Sequence, residues 1–96
     1  MSYYKIDRGD GVLVSAQRDE WQDWFAGHGN RVEATKTPDG ALISTVCLGI
    51  DHAGFWYETC VFRGDDSEVV ERYTTRVEAV EGHERWEHAV LEGGAL

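Results

Sequence analysis

Residues 41–63, ALISTVCLGIDHAGFWYETCVFR, form the longest run of β-branched and aromatic residues in the sequence. The run is broken once, at Asp51-His52-Ala53-Gly54, where Gly54 can adopt the positive φ of a tight reversal. Two apolar segments separated by such a turn predict a β-hairpin. We therefore expect this hairpin to organise the fold, with the other elements paired beside it or packed on it.

The two cysteines lie one on each strand of the predicted hairpin, at Cys47 and Cys60. A two-residue loop at Ala53-Gly54 would place them directly opposite each other, at a separation that a disulfide can bridge. Thiols in the cytosol stay reduced and serve as small apolar side chains, which favours two buried free cysteines. The sequence leaves both alternatives open.

Before the hairpin, a polar arm of about residues 1–10 is predicted to lead into a short strand at 12–14. Ser15 is a potential N-cap for a helix over 16–26, whose residues Trp21, Trp24 and Phe25 form one aromatic stripe that we expect to contact the core. Alternation over 31–37 is typical of an edge strand, and the following Thr37-Pro38-Asp39-Gly40 predicts a tight turn. The third strand should then be central and covered on both sides.

After the hairpin, residues 68–73 predict a fourth strand and Thr74 or Thr75 the start of a second helix. Thr75 and Glu78 match a capping box. Helical spacing groups four residues into a buried stripe: Ala79, His83, Trp86 and Val90. Gly82, unfavourable inside a helix, indicates close approach of another backbone.

These elements predict a single α+β domain over residues 1–96, with a small antiparallel sheet of three or four strands in a meander and two helices packed on it. The chain has 18 acidic and nine basic residues, a net charge of −9. Such a charge disfavours direct binding of nucleic acid and favours a partner protein with a basic surface. Neither a signal peptide nor a run of ~18 apolar residues is present, so we expect a cytoplasmic protein without membrane contact.

Four residues are weak candidates for acid/base or metal chemistry: Asp51, His52, Glu58 and His83. The position of Asp51 at the start of a turn is enough to explain that residue. His83 can likewise be a buried core histidine satisfied by one hydrogen bond. Glu58, opposite Gly49 in the predicted register, is either solvent-facing or a buried carboxylate paired with Arg or His. His52 and His83 are the weak metal candidates, but the spacings of common zinc sites are absent and no cofactor is predicted.

Two further chemical patterns are weaker still. Residues 83–88 begin and end with histidine but are one residue longer than the metalloprotease motif, so the two rings would point in different directions. A nucleophilic Cys60 with His83 lacks any evident oxyanion hole. An enzyme is therefore the less favoured interpretation.

Residues 64–92 contain nine acidic and three basic residues, a local net charge of −6. Charge runs usually form a solvated surface. The alternative is a negative strip that binds a basic groove, as mimics of nucleic acid do. The candidate partner-binding residues of this strip are Asp65, Asp66, Glu78, Glu81, Glu84 and Glu92.

Four short segments, at residues 48–52, 55–62, 72–75 and 78–83, resemble a family of small uncharacterised proteins of actinobacteriophages. The family pattern is L-G-x-D-H, F-E-T-x-V-F, R-Y-x-T and E-A-x-x-G-H, and the resemblance covers roughly residues 43–84. This chain departs from it at the hairpin tip, where relatives often have a longer Gly/Pro-rich loop. The resemblance implies a phage accessory protein in the host cytoplasm and no particular chemistry.

The favoured interpretation is a non-enzymatic interaction protein, such as an acidic inhibitor of a host defence or nucleic-acid-handling protein. A small metal-assisted or acid/base enzyme is the first alternative. A virion or self-assembly component, detectable as a homo-oligomer, is the second.

Overall fold

The computed structural model describes residues 3–6, 13–27 and 29–92, without the side chains of Asp51 and His52. The elements in this part of the chain are β1 (Tyr3–Ile6), β2 (Leu13–Ala16), α1 (Arg18–Ala26), β3 (Arg31–Lys36), β4 (Leu42–His52), β5 (Phe55–Arg63), β6 (Asp66–Tyr73) and α2 (Arg76–Leu91). The fold is α+β with two helices and an antiparallel sheet, as predicted. The sheet has six strands in the described residues, however, rather than three or four.

The additional strands come from the N-terminal segment. Part of the expected polar arm, Tyr3–Ile6, is β1, which pairs with β2 and, at its first residue, with Ile50 near the end of β4. Ser15 pairs with Tyr4 inside this ladder, so its prediction as a helix cap is wrong. The helix instead begins after Gln17, whose backbone N–H donates to the Glu20 carboxylate at 3.1 Å.

β4 is the central strand, and β5 pairs with one edge of it at residues 42–47 and again at His52. Two strands share the opposite edge of β4. β3 pairs with the first half of β4, and β1 pairs with Ile50 near its end. β6 pairs with the far edge of β5. The predicted turn between β3 and β4 is confirmed, with the Gly40 N–H donating to the Thr37 carbonyl at 3.0 Å.

The hairpin tip has the predicted two-residue loop, with Ala53 and Gly54 at φ of 54° and 86° between the paired residues His52 and Phe55. The register then shifts between Cys47 and His52, a segment in which Gly49 has a φ of 69°. A side chain at Gly49 would overlap the Trp21 indole and the Tyr4 carbonyl, so the shifted segment makes room for them.

Because of the register shift, the predicted cross-strand partners of the two cysteines and of Glu58 are wrong. Cys47 faces Tyr57, while Cys60 faces Ser44 and Glu58 faces Val46 rather than Gly49. Cys47 and Cys60 therefore lie on opposite faces of the sheet, and both are free thiols.

The two faces of the sheet differ in cover. On the face beneath α2, here called the covered face, Ile43, Thr45 and Cys47 of β4 are completely buried. On the other, here called the open face, Leu42, Ser44 and Val46 are only half-buried. The prediction that β4 is covered on both sides is wrong, because α1 is short and packs mainly against β1 at one end of the sheet.

α2 begins as predicted at Thr75, whose hydroxyl accepts the Glu78 backbone N–H at 3.2 Å. Its predicted stripe faces the sheet: Ala79, His83 and Val90 are buried and Trp86 is half-buried. Gly82 is also buried, but the group that approaches it is the ring of Tyr73 and not a backbone.

The aromatic stripe of α1 is half-buried at the edge of the core. The Trp21 indole N–H donates to the Leu48 carbonyl at 3.0 Å, and Trp24 packs against the cluster around Cys47 and Tyr57. Among the described helices, α1 and α2 included, none has the length and apolar character needed to cross a membrane.

Candidate functional site

A chain of hydrogen bonds runs through the core between α2 and the covered face. His83, on α2, is 0% exposed, and both of its ring nitrogens bond to threonines of the sheet. Nδ1 lies 2.7 Å from Thr45 Oγ1 in β4, and Nε2 lies 2.9 Å from Thr35 Oγ1 in β3. Thr35 and Thr45 both lie at strand positions that face α2. The pairing of β3 with β4 therefore fixes the two hydroxyls that hold the His83 ring.

The chain of hydrogen bonds continues from Thr45 to two more residues of the sheet. Thr45 Oγ1 lies 2.6 Å from Thr59 Oγ1 of β5, which lies 2.9 Å from the Tyr73 hydroxyl of β6. At the other end Thr35 donates to Glu87 Oε2 at 2.9 Å. The described side chains contain no buried nitrogen or oxygen without a partner, so this polar core is fully satisfied.

The direction of the hydrogen bond between Thr35 and His83 follows from the number of protons available. Thr35 donates its single proton to the Glu87 carboxylate, so it must accept the His83 Nε2 proton. We therefore assign a proton to Nε2 of His83. At the other end of the chain of hydrogen bonds, the Tyr73 hydroxyl contacts both Thr59 and the Glu71 carboxylate.

Tyr73, at the start of this chain, is 3% exposed. Burial raises the pKa of its hydroxyl, and the nearby Glu71 carboxylate raises the same pKa further, partly offset by the hydrogen bond to Thr59. Glu71 is itself held by the Trp86 indole N–H at 2.9 Å and by Arg85 at 3.2 Å. The chain of hydrogen bonds thus has a carboxylate near each end, Glu87 beside Thr35 and Glu71 beside Tyr73.

His83 and two glutamates form a group of three potential metal ligands. One atom each from Glu33, His83 and Glu87 lies within 4.8 Å of the other two. Glu33 comes from β3 and is half-buried, and Glu87 follows His83 by one helical turn. Sequence reasoning identified His83 but missed Glu33, Glu87 and the threonines. The i, i+4 spacing of His83 and Glu87 was the available signal.

Glu58 and Cys60, in contrast, lie on the open face. Arg72 Nε donates to Glu58 Oε2 at 3.4 Å, and Cys60 Sγ lies 3.7 Å from Glu58 Oε1. Burial and the Glu58 carboxylate raise the pKa of the Cys60 thiol to about 11. This thiol is therefore protonated at neutral pH and a poor nucleophile.

The sheet separates His83 from Glu58, its predicted acid/base partner, and from Cys60, the alternative nucleophile. Glu58 and Cys60 are on the open face while His83 is under α2, so neither can react together with His83. The side chains of Asp51 and His52 lie outside the described part of the structure. What remains on the covered face is His83 with Glu33 and Glu87.

The open face contains an apolar groove of about 490 Å³ next to the C-terminal end of α1. Its apolar lining is contributed by the sheet and by α1: Leu42, Val46, Cys60, Phe62, Phe25 and Ala26. Phe62 and Val69 on this face are 40% and 42% exposed. A sheet face this apolar marks a surface that can bind another molecule.

The six acidic residues predicted to bind a partner are all exposed: Asp65, Asp66, Glu78, Glu81, Glu84 and Glu92. Glu78 is engaged locally, because hydrogen bonds from Thr74 and Thr75 hold the pKa of its carboxyl below the usual value. Glu92 lies 3.7 Å from His88. Glu81 and Glu84 form no ion pair with any residue that the structure describes. We call Glu81, Glu84 and Glu92 the acidic helix face.

Comparisons of the chain with protein-family models, with curated proteins and with solved structures give no match. The resemblance to actinobacteriophage proteins therefore stays a prediction.

Proposed function

We propose that the chain is a non-enzymatic interaction protein that binds a basic surface of another protein through the acidic helix face. The observation that carries this proposal is the absence of a neutralising partner for Glu81 and Glu84 among the described residues. Carboxylates on one exposed side of a rigid helix attract cationic surfaces and repel phosphates.

The basic residues of the same region support the proposal because two of the three are engaged elsewhere. Arg72 pairs with Glu58 on the open face, and Arg85 pairs with Glu71 at the edge of α2. The negative potential of the helix face is therefore only weakly compensated. A host protein that handles nucleic acid presents a surface of the required sign. The family resemblance adds the setting, a bacteriophage protein in the host cytoplasm, as part of the proposal.

The test is capture of partners from host lysate by the tagged chain, compared with the double variant Glu81→Gln/Glu84→Gln. We expect the wild type to retain a basic protein at ~0.1 M salt and to release it at ~1 M, where the Debye length is about 3 Å. The double variant should retain several-fold less, because it lacks the two uncompensated charges.

The matched control is Asp19→Asn/Asp23→Asn, which removes two exposed charges from α1 and leaves the acidic helix face intact. An equal decrease in the amount of captured protein for the two double variants would show that net charge alone determines binding. Equal capture by the wild type and the Glu81/Glu84 variant would exclude the acidic helix face as the binding surface.

A second candidate function, self-assembly, is favoured by the open face. Exposed Arg31 lines its groove, and exposed Lys36 pairs with Leu42 and so lies on the same face. Neither forms an ion pair within the described residues. The chain thus has an apolar face with basic residues and, on its other side, an acidic helix. We propose as second candidate that the helix of one copy docks on the open face of the next, a head-to-tail contact that forms rings or filaments.

Self-assembly predicts a mass that rises with protein concentration, measured by sedimentation or light scattering. Phe62→Ser should lower the association constant at least about tenfold, the effect of losing ~1.4 kcal/mol from an apolar contact. Phe55→Ser is the control, since Phe55 is similarly exposed, at 37%, but lies at the hairpin tip. A monomer at all concentrations would contradict self-assembly and leave capture of a basic partner untouched.

A further inference from the structure

Glu33, His83 and Glu87 bring one nitrogen and two carboxylate oxygens to one place from two rigid elements. Their ligand atoms lie within 4.8 Å of one another, with His83 buried and both glutamates half-buried. Thr35 Oγ1 is 2.9 Å from His83 Nε2 and 2.9 Å from Glu87 Oε2. These two distances place Nε2, rather than Nδ1, on the side of the Glu87 carboxylate.

Neither carboxylate of this cluster forms an ion pair with any residue that the structure describes. Each of the five ion pairs found there uses another acidic residue. Two like charges at this separation repel each other in a half-buried site. A bound cation between them would remove that repulsion.

The other side of the histidine ring has the partner that metal-binding histidines require. In metal sites the second ring nitrogen donates to an acceptor that fixes the orientation of the ring. Here Nδ1 lies 2.7 Å from Thr45 Oγ1, which is held in turn by Thr59. The ring cannot rotate away from the carboxylates without breaking this buried contact.

We infer that Glu33, His83 and Glu87 bind one divalent transition-metal ion of the Zn²⁺ class, through Nε2 and one oxygen of each carboxylate. Three protein ligands with a solvent-accessible fourth position are typical of open zinc sites. The imidazole selects against Mg²⁺ and Ca²⁺, which prefer oxygen ligands. Bond lengths of ~2.1 Å place tetrahedral ligands about 3.4 Å apart, so the half-exposed glutamates must close by a small movement.

Metal binding at Nε2 requires that the Nε2 proton of His83 leaves, because Thr35 and Glu87 assign a proton to this nitrogen in the metal-free chain. With Nε2 bound to the ion, the neutral ring carries its proton on Nδ1 and donates it to Thr45.

The direct test is calorimetric titration of the untagged, metal-stripped chain with ZnCl₂, and with MgCl₂ and CaCl₂ for comparison. We expect one Zn²⁺ per chain and no saturable Mg²⁺ or Ca²⁺ binding. Glu33→Gln and Glu87→Gln should each weaken Zn²⁺ binding at least about tenfold, the loss that even an outer-shell partner produces. Glu84→Gln and His88→Gln, on the exposed side of α2, are the matched controls and should change the affinity less than twofold.

The imidazole ¹⁵N shifts of His83 provide a second, independent readout. They should report Nε2–H in the stripped chain and Nδ1–H at saturating ZnCl₂. Zn²⁺ binding that persists in both glutamate variants, or is lost with His88, would overturn the site. An Nε2–H tautomer at saturation would also overturn it, and so would the absence of saturable Zn²⁺ binding.

Discussion

Replacing Gly82 with alanine is expected to destabilise the protein by about 2 to 3 kcal/mol, although alanine is the better helix former. An added Cβ would overlap the ring and hydroxyl of Tyr73, which is 3% exposed and packs in the cluster of Cys47, Tyr57 and Ala79. Overpacking of this kind costs about 1 to 3 kcal/mol, and displacing Tyr73 also weakens its hydrogen bond to Thr59. The helix-propensity gain of about 1 kcal/mol offsets only part of this.

The loss is measured as the change in free energy of unfolding in urea. Glu81→Ala, at the preceding exposed position, controls for propensity and should change stability by less than about 0.5 kcal/mol. In a Tyr73→Leu background the space above Gly82 is enlarged, so Gly82→Ala should become neutral or stabilising. A destabilisation that persists unchanged in that background would show that the Tyr73 ring is not its cause.

Parts of the fold with local signals were predictable from sequence. The turn at Pro38-Asp39-Gly40, the Ala53-Gly54 loop and the Thr75 cap each depend on residues within a few positions of one another. β1 was not predictable in this way, because Tyr3–Ile6 becomes a strand only by pairing with β2 and Ile50. The same pairing removes Ser15 from its expected role as a cap.

The register of the central hairpin shows where local reasoning fails. The tip fixes His52 opposite Phe55, as the turn predicts, and extending that register would place Cys47 opposite Cys60. The register shift between Cys47 and His52 is associated with Gly49, whose missing side chain makes room for Trp21 and Tyr4. Both of those residues come from distant segments, so the sequence around the hairpin contains no sign of them.

The polar core was only partly predictable for a related reason. His83 stands out because it interrupts an apolar helical stripe. Thr35, Thr45 and Thr59 do not, because threonine is common in strands for its β-branched shape. Only the observed register places these three side chains together on the face of the sheet beneath the ring.

His83→Ala is expected to cost about 3 to 5 kcal/mol, a large fraction of the stability of a domain this small. The ring is 0% exposed, so its removal leaves a cavity, and Thr35 and Thr45 lose a buried partner. An acid/base residue at an accessible site would instead be removed at little cost in stability. Urea unfolding distinguishes the two roles, and a loss below about 1 kcal/mol would contradict the structural role of His83.

His83→Leu separates the effect of the cavity from that of the lost hydrogen bonds, because leucine fills the space and Thr45 can donate to Thr59, which can donate to Tyr73. This variant should therefore lose less stability than the alanine variant. Adding Tyr73→Phe leaves one of the two buried hydroxyl protons of Thr45 and Thr59 without an acceptor, at an extra cost of about 1 to 3 kcal/mol. With His83 present, Tyr73→Phe should cost less, since Nδ1 of the ring can accept from Thr45. A double-mutant cycle measures this coupling, and strict additivity would show that His83 does not act as an acceptor for these hydroxyls.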